Sequence, residues 1–144
     1  MCLLPGDVRE AIEVAAWQAE NRLENRDGHE AAQAVDTQRL HRAIESSSLA
    51  LVALDDDAVI GFARAMSDEA FAVYIADILV APDRQRQGIG RALVEAILDH
   101  YPLERFHHQV LVAERGAEGF YRRLGLVPVS AYGLTAFIRA KRRA

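Results

Sequence analysis

Residues 74–98 read YIADILVAPDRQRQGIGRALVEAIL, and a change of hydrophobic period inside this stretch decides the fold. The strand FAVYIADILV (71–80) leads into it and is apolar on both faces, the mark of a central strand covered on both sides. Pro82 stops that strand. From Gly88 to Tyr101 the apolar residues Ile89, Ala92, Leu93, Ala96 and Ile97 recur at helical spacing, and Pro102 stands just beyond the helix end. FHHQVLVA (106–113) then reads as another strand. A helix between two strands is the crossover that parallel pairing requires, so these two strands are expected to run parallel.

The rest of the chain builds outward from this unit. LALVAL (49–54) and AVIGFARA (58–65) are strand-like and joined by Asp55-Asp56-Asp57, which predicts a hairpin whose acidic run is simply its turn. Upstream, Val8, Ile12, Ala15, Ala19 and Leu23 predict a helix with Asp7 as N-cap. Trp17 lies on its other face, either half-buried under a loop or walling a binding cleft. Residues 25–36 have no clean period and hold a turn signal at Asp27-Gly28. A second helix is predicted from about Thr37 to Ser46, with Leu40 and Ile44 inward. Downstream, Ala117, Phe120, Tyr121 and Leu124 form the stripe of a short helix that Gly125 closes at the C′ position. Two short strands, around Leu126 to Val129 and Leu134 to Arg139, are expected to complete an α/β layered domain.

Composition narrows the function classes. The 144 residues suit a single domain spanning 1–144, and 51% hydrophobic with 26% charged residues can bury a core beneath a polar surface. Seventeen basic against 21 acidic residues give a net charge of -4, which argues against a nucleic-acid footprint. No run approaches the roughly 20 apolar residues of a membrane span, so no membrane partner is expected. MCLLPGDVRE lacks the basic start and long apolar stretch of a signal peptide, and a cytoplasmic protein is expected. Cys2 is the single cysteine, which leaves no disulfide within the chain, and its place at the terminus argues against a cysteine nucleophile. Lys141 is the single lysine and lies in the tail RAKRRA, read as a solvated end, so Schiff-base chemistry is not expected.

The chemistry is concentrated in Gln85 to Arg91, Q-R-Q-G-I-G-R, at the start of the helix. Two glycines two apart allow a tight turn and let a ligand approach the backbone. The first N–H groups of a helix lack internal partners and sit at the positive end of its dipole, where a phosphate is well accommodated. Arg84, Arg86 and Arg91 add three positive charges within eight residues. These features predict a phosphate or pyrophosphate site, although a plain tight turn would also explain the glycines. A P-loop is excluded because no Gly-Lys pair exists, and the dinucleotide fingerprint fails because Leu93 fills its third small position.

Gln85-x-x-Gly88-x-Gly90, after a strand ending Val80-Ala81-Pro82 and before an amphipathic helix, resembles the acyl-CoA motif [QR]-x-x-G-x-[GA] of the GCN5-related N-acetyltransferases. Gly119-Phe120-Tyr121-Arg122-Arg123-Leu124-Gly125-Leu126 resembles that family's F-Y-x-x-L-G-F, with leucine in place of the last phenylalanine. The resemblance covers most of residues 49–139. It implies a mixed central sheet flanked by helices on both faces, with a first strand that is short or missing because only MCLLPG is available for it. It also implies acetyl-CoA as co-substrate, with no metal, and a small-molecule amine or an amino group as acceptor. Carried over, the backbone N–H groups of Gln87, Gly88, Ile89, Gly90 and Arg91 would hold the pyrophosphate, with Gln85 and Arg86 in the same motif. Ile78, Leu79 and Val80 would pair with the pantetheine amides and polarise the thioester carbonyl. Tyr121 would protonate the leaving thiolate; its other reading is a core aromatic on the apolar stripe.

A general base is less plainly marked. Asp77 is a carboxylate in an otherwise apolar strand, and such an acid has a raised pKa or is held by hydrogen bonds. It serves either as base, directly or through water, or as a structural carboxylate tying down a loop or helix. Glu69, at the start of that strand, is a second candidate. His107 and His108 point to opposite faces of their strand, His29 and His41 read as surface residues, and no His/Cys/Asp/Glu cluster has metal-ligand spacing. The acceptor region before Ser46, with Trp17, Asp27 and Glu30, is equally explained by solubility. A non-catalytic acyl-CoA sensor and a longer acyl donor are the alternatives to acetyl transfer, and pairing through Leu134 to Ile138 would give a homodimer.

Overall fold

The computed structural model describes residues 2–5 and 37–139. The helix expected from Asp7, Trp17, the Asp27-Gly28 turn, His29 and the tail from residue 140 lie outside the described residues. The chain divides into two compact units, Met1–Val112 and Ala113–Ala144.

The first unit is a five-stranded sheet in simple sequence order. Its strands are β1 (Cys2–Pro5), β2 (Leu49–Asp55), β3 (Ala58–Ser67), β4 (Ala72–Val80) and β5 (His108–Val110). The first strand is therefore present but short, and it pairs antiparallel with β2. β2, β3 and β4 form an antiparallel meander, and β4 and β5 run parallel as their crossover helix requires. That helix is α2 (Ile89–His100), and α1 (Thr37–Glu45) precedes the hairpin.

Alternation along β2 explains why the sheet is covered on both faces. Leu51 and Ala53 join a core with Ile89, Leu93 and Ile97 of α2, whereas Val52, between them, packs with Phe62, Leu79 and Ile44 of α1. Leu93 and Ile97 are fully buried. Burial of each such side chain contributes roughly 1.5–3 kcal/mol.

β5 is shorter than the expected strand 106–113. Phe106 turns inward instead, stacking edge-on against buried Tyr101 at 5.0 Å, with its N–H bonded to the Pro102 carbonyl. His107 consequently falls outside the strand and packs beside Phe71, its ring centroid 5.8 Å away. His108 is exposed within β5.

In the second unit, α3 (Glu118–Arg123) ends as its sequence dictates. Gly125 takes a left-handed φ of 86° and donates to the Arg122 carbonyl at 3.0 Å, while Leu126 N–H reaches the Tyr121 carbonyl at 3.1 Å. That is the Schellman closure. The strands expected at 126–129 and 134–139 do not form among the described residues. Pro128 has no N–H for a ladder and instead launches a 3-10 turn, Val129–Tyr132, which Gly133 ends at a φ of 69°. Leu134 to Arg139 then runs without regular structure, leaving Phe137 and Ile138 exposed.

Candidate active site

Two features of the first unit meet at the C-terminal end of β4. The parallel ladder with β5 stops at Tyr74–Val110, whereas β4 continues to Val80 along β3. Past Tyr74 the two parallel strands part, and Ile78, Leu79 and Val80 lie on the stretch that β5 does not follow. After Val80 the chain makes a 3-10 turn, Pro82–Arg84, and reaches the glycine turn.

That turn holds two left-handed residues, Arg86 at a φ of 61° and Gly88 at 85°. Gly88 is the N-cap of α2 and carries no capping side chain; its carbonyl accepts from Ala92 N–H at 3.0 Å. The N–H groups of Gly88, Ile89, Gly90 and Arg91 have no backbone acceptor among the described residues outside the helix. They form a cluster of donors at the positive end of the helix. The turn is exposed from Gln85 through Gly88. Gln85 Nε2 reaches back to the Val80 carbonyl and Gln87 Nε2 to the Asp83 carbonyl, each at 3.4 Å, so these side chains brace the loop.

The arginines divide. Arg84 pairs with Asp55 at 2.7 Å, so one acid of the hairpin turn reaches the loop before the glycine turn and is more than a turn former. Arg91 pairs with Glu95 at 2.8 Å, one turn along the helix. Arg86 has no ion-pair partner among the described residues. Of three expected cations, one is left for an anion, and the backbone supplies the remaining positive potential.

Gly61 holds α2 close to the sheet. A Cβ there would stand 2.9 Å from Ile89 Cγ2 and 3.1 Å from Leu93 Cδ1, on the first two turns of the helix. A glycine inside an otherwise regular strand is the sequence signal for such an approach.

Asp77 sits at an irregularity of β4. The register passes from Arg64↔Ala76 to Phe62↔Leu79, so Asp77 and Ile78 together oppose Ala63. This is a β-bulge, and Asp77 takes a left-handed φ of 52° within it. Its Oδ2 accepts from Arg64 Nε at 2.5 Å. Arg64 belongs to no motif in the sequence, although a lone arginine between Ala63 and Ala65 needs a partner as much as Asp77 does. Glu69 lies at the far end of β4, about 25 Å of strand from the glycine turn. There it accepts from the Tyr101 hydroxyl at 3.3 Å. It takes no part in the site. His41 pairs with Glu45 at 3.2 Å. Among the described residues no group of three His, Cys, Asp or Glu could hold a metal ion.

Tyr121 belongs to the second unit, on the half-buried stripe of α3. Its ring stacks edge-on with Phe120 at 5.0 Å, and its carbonyl serves the helix closure.

The model of the acetyltransferase (GNAT) family matches residues 12–126. The chain belongs to that family. Among curated GNAT relatives, serotonin N-acetyltransferase 2 of Oryza sativa subsp. japonica is 34% identical over 114 residues, covering 74% of this chain and 56% of that protein. A histone acetyltransferase of Glycine max is 42% identical over 67 residues, covering 46% of this chain and 29% of its own length. The chain thus spans little more than half of one relative and under a third of the other. Among solved structures, a GNAT-family acetyltransferase of Streptococcus pneumoniae superposes with a TM-score of 0.72 at 28% identity, covering 99% of this chain and 97% of that one. Glucosamine-6-phosphate N-acetyltransferase of Arabidopsis thaliana shares the fold at 13% identity, with a TM-score of 0.67 over 98% of this chain and 97% of that one.

Proposed function

We propose that this GNAT chain moves the acetyl group of acetyl-CoA directly to the amine of a small molecule or amino group held in the same complex. The observation that carries this reading is the donor cluster of Gly88 to Arg91 beside the opened end of β4. A pyrophosphate on the turn would let the pantetheine arm run along Ile78 to Val80, with a backbone N–H there polarising the thioester carbonyl. The free amine attacks that carbonyl carbon. The N–C bond forms, the C–S bond breaks, the surplus proton of nitrogen leaves to solvent, and the departing thiolate takes a proton. Tyr121 is the proposed donor of that last proton, a role supported by the match of Phe120-Tyr121-x-x-Leu124-Gly125 to the family motif. A phenol suits it because it can hydrogen-bond sulfur without competing as a nucleophile.

The test is calorimetric titration with acetyl-CoA, ATP and NAD, followed by thiol release with serotonin, a histone peptide and glucosamine 6-phosphate as acceptors. The expected result is binding of acetyl-CoA alone at micromolar strength, about 8 kcal/mol. Tyr121→Phe should keep that affinity and lose turnover. Heat with ATP but none with acetyl-CoA refutes the donor, and undiminished turnover in Tyr121→Phe refutes the acid.

A further inference from the structure

We propose that Arg64 is a positioning residue of the transfer reaction, holding the β4 bulge in the shape that presents the Ile78 backbone to the thioester. This rests on the acetyl-transfer reading above and adds to it a residue outside both family motifs.

The bulge changes the phase of β4. Before it, Val73 and Ile75 pack into the core against α2. After it, Ile78 and Val80 lie against that core, and Leu79 joins the α1 side with Ile44 and Phe62. Odd-numbered residues face α2 before Asp77, and even-numbered ones face it afterwards. Because backbone groups alternate edges as side chains alternate faces, the bulge also decides which N–H groups point to the edge that β5 leaves open. The shape depends on Asp77 holding a φ of 52°, which L-residues seldom adopt and Asp tolerates better than most.

Arg64 is the restraint on that shape. Its registered partner is Ala76, immediately before the bulge, and its Nε grips the Asp77 carboxylate. Its Nη1 reaches the Ala43 carbonyl at 3.3 Å and Ser47 Oγ at 3.4 Å. Ser47 Oγ in turn donates to the Ala43 carbonyl at 2.8 Å. Those acceptors lie at the C-terminal end of α1, where open carbonyls and the helix dipole favour a cation. The Arg64 side chain is 16% exposed, whereas the Asp77 carboxylate, at 37%, keeps one side open to solvent. One guanidinium therefore ties the bulge to the end of α1. Arg64 enters no covalent step; it acts through the position of Asp77 and Ile78.

The test compares Arg64→Met, Arg64→Lys, Asp77→Asn and the double variant Arg64→Met/Asp77→Asn. Measured are kcat with saturating acetyl-CoA and serotonin (or the panel amine that turns over), the Kd of CoA, and hydrogen exchange in peptides covering Ile78–Val80. Asn tolerates the left-handed conformation, so Asp77→Asn removes the ion pair while leaving a residue suited to the bulge. Expected are a loss in kcat of about tenfold or more in Arg64→Met and in Asp77→Asn, with no further loss in the double variant. Arg64→Lys should recover part of it. The Kd of CoA should weaken by much less than kcat falls, because the glycine turn proposed to hold the pyrophosphate is untouched, while exchange at Ile78–Val80 rises. A kcat unchanged in Arg64→Met overturns the proposal. So does a large loss confined to Asp77→Asn, which would make Asp77 the base. Wild-type protein that binds no acetyl-CoA overturns the acetyl-transfer reading itself, a result plainly different from either.

Discussion

Replacing Gly61 with alanine probes how the glycine turn is held against the sheet. The new Cβ would lie 2.9 Å from Ile89 Cγ2, 3.1 Å from Leu93 Cδ1 and 3.3 Å from Ala53 Cβ. Carbon pairs prefer about 3.5–4.0 Å, so the closest overlap exceeds half an ångström. All three neighbours are core residues, at most 4% exposed, and none can swing into solvent. Overpacking of this kind costs about 1–3 kcal/mol. Against it stands a gain of about 0.4–1 kcal/mol, because alanine reduces the freedom of the unfolded chain. The strain wins, with a net loss of about 1–2 kcal/mol and a Tm lower by roughly 3–8 °C. Relief requires the first turn of α2 to back away, carrying the N–H groups of Ile89 and Gly90 with it. Acetyl-CoA should therefore bind roughly fivefold more weakly, a loss near 1 kcal/mol. Ile89→Leu removes the offending Cγ2 at nearly constant volume, so Gly61→Ala/Ile89→Leu should recover at least about 0.5 kcal/mol relative to additivity. Thermal denaturation and calorimetry read both effects. A Gly61→Ala protein as stable as wild type, binding acetyl-CoA equally well, would refute the claim that this glycine sets the approach of helix to sheet.

Gly88 poses the opposite problem, since nothing lies within 4 Å of a Cβ there and its φ of 85° is the whole constraint. Gly88→Ala should cost about 1 kcal/mol in urea denaturation and Gly88→Asn less, because Asn tolerates the left-handed region; equal stability of all three proteins would show that the turn relaxes to another conformation. For Tyr101, burial first, and then the nearby Glu69 charge and hydrogen bond, push the phenol from 10.0 up to about 12. The folded state thus favours the neutral phenol, a contribution fully present below pH 10 and lost as pH rises toward 12. Tyr101→Phe, which cannot titrate, should lose less Tm than wild type between pH 9 and pH 11.5, and parallel pH profiles would contradict the assignment.

The parts of this fold that were legible in the sequence are those set by local rules. The helix from Gly88, the closure at Gly125 and the parallel pairing across α2 each follow from a period, a left-handed glycine or a crossover, and the structure has all three. The strands expected near 126–129 and 134–139 depend instead on a ladder partner, and apolar composition does not say whether one is in reach. The site divides along the same line. The donor cluster at Gly88 to Arg91 is a property of one short segment, but its charge is not: Asp55 and Glu95 occupy Arg84 and Arg91, and only Asp55 comes from a distant element. Asp77 was visible as an anomaly because a carboxylate in an apolar strand must be answered by something. The answer lay thirteen residues earlier, in Arg64. Two lone opposite charges in adjacent apolar strands are each other's natural partners, and their meeting would have put both on the same face. The bulge itself leaves no such trace. Ile75 and Leu79 are both odd-numbered residues of one strand, yet they enter opposite cores, and only an extra residue between them permits that. A break of phase in a strand apolar on both faces leaves no mark in its hydrophobic pattern, and for that reason the feature most closely tied to the proposed chemistry emerges only in the folded strand.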